Sequence, residues 1–225
     1  MKVILFGASG MVGQGALREC LLDPGVEQVL VIGRSSVGQT APKLREILHA
    51  DLFNLSPMRE DLRGYDACFF CLGVSSGGMK EEDYRHITYD LTLSVATLLA
   101  ELNPAMTFLY VSGAGTDSTE RGSSMWARVK GATENALLRL PFKAACMLRP
   151  GMIQPLHGIK SKTAAYRILY TLTAPVIPLL RKLFPNSITT TEKLGRAMIE
   201  VVRHGAPKPW LETRDIEAIS SASLP

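Results

Sequence analysis

Gly7, Gly10 and Gly13 stand three residues apart and follow directly on the apolar run Val3-Ile4-Leu5-Phe6. A strand, a sharp turn and a helix in that order form a cradle for a pyrophosphate. The first glycine permits the turn, the second lets backbone approach the phosphates, and the third lets the helix pack closely on the strand. Ser9, Met11 and Val12 fill the loop and the first helical turn, where unpaired N–H groups and the helix dipole favour negative charge. A dinucleotide is the expected ligand. After the second apolar run comes Gly33-Arg34-Ser35, with arginine where an NAD site carries an acidic residue for the ribose 2′-hydroxyl. Arginine forks onto phosphate and stacks on adenine, so NADP is expected over NAD. Asp51-Leu52 is placed to meet the adenine edge, and Leu72-Gly73 lets backbone pass close to the adenosine ribose.

Other reactive residues carry weaker signals. Cys68 and Cys71 form a C-x-x-C inside Ala67-Cys-Phe-Phe-Cys-Leu72. Residues three apart on a strand point to opposite faces, so the pair cannot grip one metal or close a disulfide. With no histidine pair nearby, no metal site is expected. His157 is the histidine expected near the substrate side, where a neutral imidazole could act as base.

These residues need a scaffold, and the remaining pattern supplies one. Continuous apolar strands are expected at 2–6, 28–32, 46–49, 67–72, 107–111 and 144–148, with a short one at 210–212. Helices are expected at 14–22, 81–101 and 125–140. Such alternation predicts an α/β, Rossmann-type doubly wound parallel sheet covered on both faces. Thr189-Thr-Thr-Glu192 reads as a capping box opening a last long helix that stops at Gly205. A single domain spanning 1–225 is expected. In it, residues 152–187 and the C-terminal helix form a small lobe over the substrate side.

Composition narrows the class. With 46% hydrophobic and 20% charged residues the chain is globular. A net charge of +4 without a Lys/Arg run suits an anionic small molecule, and no nucleic-acid partner is expected. The first strand begins at once, leaving no room for a signal peptide, so a cytoplasmic location is expected. Ile168–Leu180, interrupted by Pro175 and Pro178, is too short to span a bilayer. It reads as a lid over an apolar pocket, as core packing, or as a membrane-surface contact of 168–182 flanked by basic residues.

Taken in order, Gly7-x-x-Gly10-x-x-Gly13, Arg34, Cys71-Leu72-Gly73, Tyr110-Val-Ser112-Gly-Ala-Gly115, Val129-Lys130-Gly-x-x-Glu134 and Leu148-Arg149-Pro150-Gly151 resemble an atypical short-chain dehydrogenase/reductase of the epimerase-like group. The resemblance implies a Rossmann fold, NADP binding and a Tyr-x-x-x-Lys pair supported by a serine. Lys130 then contacts the nicotinamide ribose, and Ser112 stands in the serine position. The tyrosine position holds Trp126, whose indole N–H donates a hydrogen bond but moves no proton. Ser112 could orient a substrate carbonyl or cap a strand end. The second serine of the family's pair is replaced by Gly113, for which Ser123 or Ser124 could substitute, while Tyr166 or Tyr170 could replace the lost acid and His157 could serve as base. Two functions follow: an NADP-dependent oxidoreductase or epimerase-like enzyme acting on a small molecule, or a non-catalytic NADP(H)-binding redox sensor or scaffold.

Overall fold

The computed structural model describes residues 1–159 and 187–221. Most of the expected cover, with Tyr166, Tyr170 and the 168–182 stretch, lies outside the described residues. Seven strands form one parallel sheet: β1 (Lys2–Phe6), β2 (Gln28–Gly33), β3 (Leu44–Leu48), β4 (Ala67–Phe70), β5 (Thr107–Val111), β6 (Ala144–Arg149) and β9 (Trp210–Glu212). Their order is β3-β2-β1-β4-β5-β6-β9, with all six ladders parallel. The order reverses between β1 and β4, and the crevice at the carboxyl ends of such strands is where open α/β sheets take ligands.

Both faces of the central strands β1, β4 and β5 are buried, which is why they read as unbroken apolar runs, whereas the edge strand β3 carries Arg45 and Glu46 and is partly exposed. In β1, Val3 and Leu5 join one core cluster, while Ile4 and Phe6 join the other. Helices α1 (Met11–Leu22), α5 (Thr191–His204) and α6 (Thr213–Ser221) pack on the first side. The second is covered by a 3-10 segment (Ser56–Leu62), α3 (Leu91–Leu102) and α4 (Met125–Leu137). The helix expected at 81–101 runs as α2 (Glu81–Arg85), a wide π turn (His86–Asp90) and α3. Cys68 lies in one cluster and Cys71 packs against the other. All four cysteines are free, and no metal-binding cluster occurs among the described residues.

Helix α5, grouped by sequence with the cover, buries its apolar face against α1. A Cβ on Gly15 would lie 2.6 Å from the Thr191 carbonyl oxygen, and one on Gly195 would lie 3.0 Å from the Gly15 carbonyl oxygen. The capping residue is displaced by one from the expected box. Thr190, not Thr189, accepts the Lys193 N–H through its hydroxyl at 3.1 Å. Thr189 belongs to a short strand, β8 (Ile188–Thr190), which pairs in parallel with β7 (Met152–Gln154). Neither three-residue strand has a length or pattern that marks it in the sequence.

Candidate functional site

Each glycine of the opening motif has its own steric reason. Gly7 has φ +81° and its backbone lies against that of Cys71, so a Cβ there would stand 2.6 Å from the Cys71 carbonyl carbon. Gly13 seats α1 on the loop, where a Cβ would meet the Gly7 carbonyl oxygen at 2.1 Å. At Gly10, by contrast, φ is −83° and a Cβ would touch only the Gly7 carbonyl oxygen, at 3.3 Å. Space above Gly10 is therefore free. Its N–H donates back to Gly7 at 2.9 Å and closes the turn. Helix α1 has neither a side-chain cap nor an acidic residue in its first turn. The N–H groups of Met11, Val12 and Gly13 open a positive helix end with no protein carboxylate in that turn.

Beside this loop lies a cavity of about 420 Å³, lined by Ser9, Gln14 and Arg18 from the α1 side, by Ser36 and Gln39 from the loop after β2, and by His157. Arg34 and Ser35 are exposed at the carboxyl end of β2, and Arg34 makes no ion pair among the described residues. Sequence spacing missed Glu46 of β3. Its carboxylate accepts the Ser36 hydroxyl and the Val37 N–H, each at 2.8 Å, and so shapes this loop. Asp51 is exposed and accepts the Phe53 N–H at 3.0 Å. Leu52 turns its side chain into the core. Leu72 is half-buried, and Gly73 has open space where a Cβ would stand.

The second group of residues gathers at the carboxyl end of β5. Ser112 donates its hydroxyl to the Leu148 carbonyl at 3.2 Å, so it ties the ends of β5 and β6 together. Trp126 and Lys130 lie one turn apart on α4. The indole sits against Gly115, whose Cβ would be 3.7 Å from the ring. Lys130 Nζ donates to the Ser112 carbonyl at 2.8 Å and reaches the Val111 carbonyl at 3.4 Å, with the Tyr110 ring centroid 5.5 Å away. Loss of water around the ammonium lowers its pKa to about 8, and Glu134 opposes that shift. Glu134 is fully buried, but its partner is Arg149 of β6, whose Nε lies 3.1 and 3.2 Å from the two carboxylate oxygens. Lys130 thus has carbonyl partners only.

The loop between β5 and α4 is held down along its length. Asp117 accepts the Thr119 hydroxyl at 2.6 Å and N–H groups from Gly122, Thr119 and Arg121, which together hold its carboxyl down to about 2. A Cβ on Gly131 would lie 1.8 Å from the Asp117 carbonyl oxygen, so α4 presses directly on this loop. Ser123 and Ser124 are exposed at the start of α4, and Ser124 makes no side-chain cap. His157 sits elsewhere. Its Nε2 lies 2.6 Å from a Glu192 oxygen, and it lines the cavity with Ser9 and Ser36. The four free thiols are protonated; burial alone pushes Cys71 up to about 12.

No family profile matches the sequence. Among curated proteins, the chain is 27% identical over 159 residues to the mitochondrial protein fmp52 of Emericella nidulans, a match covering 68% of this chain and 66% of that protein. It is 26% identical over 154 residues to protein HTATIP2 of Rattus norvegicus, covering 68% and 62%. These matches span somewhat less than two thirds of either relative. A double mutant of the dTDP-glucose 4,6-dehydratase of Streptomyces venezuelae, solved with NAD and DAU bound, superposes with a TM-score of 0.65 at 15% identity, covering 99% of this chain and 81% of that one. In sequence the chain is similar to the fmp52 and HTATIP2 proteins, and its fold is the α/β fold of the dehydratase. The expected cytoplasmic location is overturned by the same relatives, because the fmp52 proteins are named as mitochondrial. Reading a location from an early first strand failed, since a strand's position says nothing about its compartment. No helix among the described residues is long and apolar enough to cross a membrane.

Proposed function

We propose that this chain binds NADP(H) at the carboxyl end of its parallel sheet and acts as an oxidoreductase or epimerase-like enzyme on a small molecule. The observation that carries the reading is the glycine loop, where Gly7 and Gly13 are forced by backbone contacts while the space above Gly10 stays open. Met11, Val12 and Gly13 N–H groups hold the pyrophosphate in this reading, and Gly7 and Gly10 let it approach. When bound, the nicotinamide supplies or accepts a hydride. Arg34 with Ser35 takes the 2′-phosphate, and Ser9 and Ser36 line the adjoining cavity. Asp51, with the backbone of Leu52, meets the adenine edge. Leu72 and Gly73 border the adenosine ribose, while Lys130 and Ser112 border the nicotinamide end.

Titration of both reduced cofactors by fluorescence tests the preference. A charged contact to phosphate contributes on the order of 1.5–3 kcal/mol, so NADPH should bind roughly tenfold to a hundredfold tighter than NADH. That preference should vanish in Arg34→Ala. Equal affinities in the unaltered protein would remove the case for NADP. A non-catalytic sensor is the second reading, favoured by one observation: Ser112 spends its hydroxyl proton on Leu148, while Trp126 falls where the resemblance implies a tyrosine.

A further inference from the structure

The tryptophan at position 126 leaves open which group gives up a proton, and the geometry points to Lys130: we propose that its ammonium is itself the proton donor to a substrate carbonyl oxygen. The proposal rests on the dinucleotide reading above. Three groups that the sequence offered instead are otherwise engaged. Trp126 presents an indole packed on Gly115, Ser112 donates to Leu148, and His157 is held by Glu192 beside the glycine loop. Tyr110 lies within reach of Lys130, but it is 1% exposed and burial pushes its phenol far above the ordinary range.

Lys130 itself is poised. Of three ammonium protons, one is committed to the Ser112 carbonyl and one reaches toward Val111, which leaves a third without a protein acceptor among the described residues. The charged and titratable groups around it are few. Glu134 stands one turn further along α4, but both its oxygens are taken by Arg149 from β6. From β5 comes the Tyr110 ring, backed by the buried Tyr84 of α2. Had Glu134 paired with Lys130 directly, the ammonium would hold its proton far more firmly. With Arg149 diverting Glu134, loss of water dominates and the group titrates near pH 8. Positioned donors work best when their pKa lies near the working pH.

In the reducing direction the step balances simply. A C–H bond forms at the carbonyl carbon with hydride from a dihydronicotinamide dinucleotide, which is oxidised. An O–H bond forms at the carbonyl oxygen as one N–H bond of Lys130 breaks, and solvent returns the proton to the amine. The substrate class is therefore an aldehyde or ketone.

Two measurements test the assignment. The first uses cofactor-free protein labelled with 15N at lysine Nζ, titrated by NMR, with Lys130→Arg to identify the signal. One lysine titrating near pH 8 and missing from the variant is expected; a Lys130 midpoint above 10 overturns the proposal. The second follows reduction of a panel of aldehydes and ketones by the loaded enzyme against pH. The rate should fall about tenfold per pH unit above the same midpoint. Lys130→Arg keeps the charge but cannot release a proton, so at saturating NADPH it should reduce at least a hundredfold more slowly. Equal rates in the two proteins overturn the assignment. So does a protein that binds NADPH yet reduces no carbonyl, which leaves dinucleotide binding standing. Failure to bind either dinucleotide removes both readings.

Discussion

At the scale of single residues, the three glycines are not equivalent, and their neighbours say how each should respond to substitution. Gly13→Val drives a side chain into the Gly7 carbonyl oxygen, where a Cβ already stands at 2.1 Å, so the variant should fold poorly if at all. Gly10→Val should keep its circular dichroism and melting temperature but lose NADPH binding, because its added atoms enter the open space above the loop. A folded Gly10→Val protein with normal affinity would contradict the proposed site. Trp126→Tyr asks a different question. If Lys130 carries the proton, a phenol one turn before it should raise carbonyl reduction less than tenfold, whereas a scaffold lacking only its donor should gain about 10²-fold or more. The glycine turn was legible beforehand, since its spacing after an apolar strand is a local pattern. Directions of side chains were not. That Ser112 turns to Leu148 and that His157 finds Glu192 depend on partners 36 and 35 residues away, and Leu52 turns into a core cluster that several elements build together.

Among the elements, α4 does the most to set the site, and one buried ion pair fixes its distance from β6. Glu134 is fully buried and Arg149 nearly so. Removing one partner strands the other charge, which typically costs about 3–5 kcal/mol. Glu134→Gln should therefore lower the melting temperature by roughly 6–20 °C for a chain of this size. Glu212 also faces Arg149, at 3.6 Å, but is half exposed, and Glu212→Gln should change stability by less than about 1 kcal/mol. Thermal melts of the two variants side by side check both statements, and equal losses would show that burial is not the deciding factor. The sheet strands and long helices were readable because their apolar runs and periodic stripes are long. The cap of α5 was misplaced by one residue because three threonines in a row offer three similar hydroxyls, and pairing of 188–190 with 152–154 decides between them.

For the molecule as a whole, Lys130 leaves a signature in the dependence of stability on pH. Unfolded, it binds its proton up to the ordinary 10.5; folded, it releases it near 8. Between these values the unfolded chain holds more protons, so stability should rise with pH. This contribution is complete above 10.5 and is lost as pH falls to about 8. Denaturation of the unaltered protein and Lys130→Met at a series of pH values should show the rise in the former alone; parallel curves would mean that the ammonium is not desolvated. A different consequence follows from the crossing of α1 and α5, where Gly15 lies under the Thr191 carbonyl. The helix that opens the phosphate loop is covered by one that leaves the ribosome some 180 residues later. At about 5–20 residues per second, a nascent chain carries its glycine loop unsupported on that side for roughly ten to forty seconds. During this interval the apolar face of α1 that α5 will cover stays exposed to water, so fragments ending before Thr191 should associate more readily than the full chain.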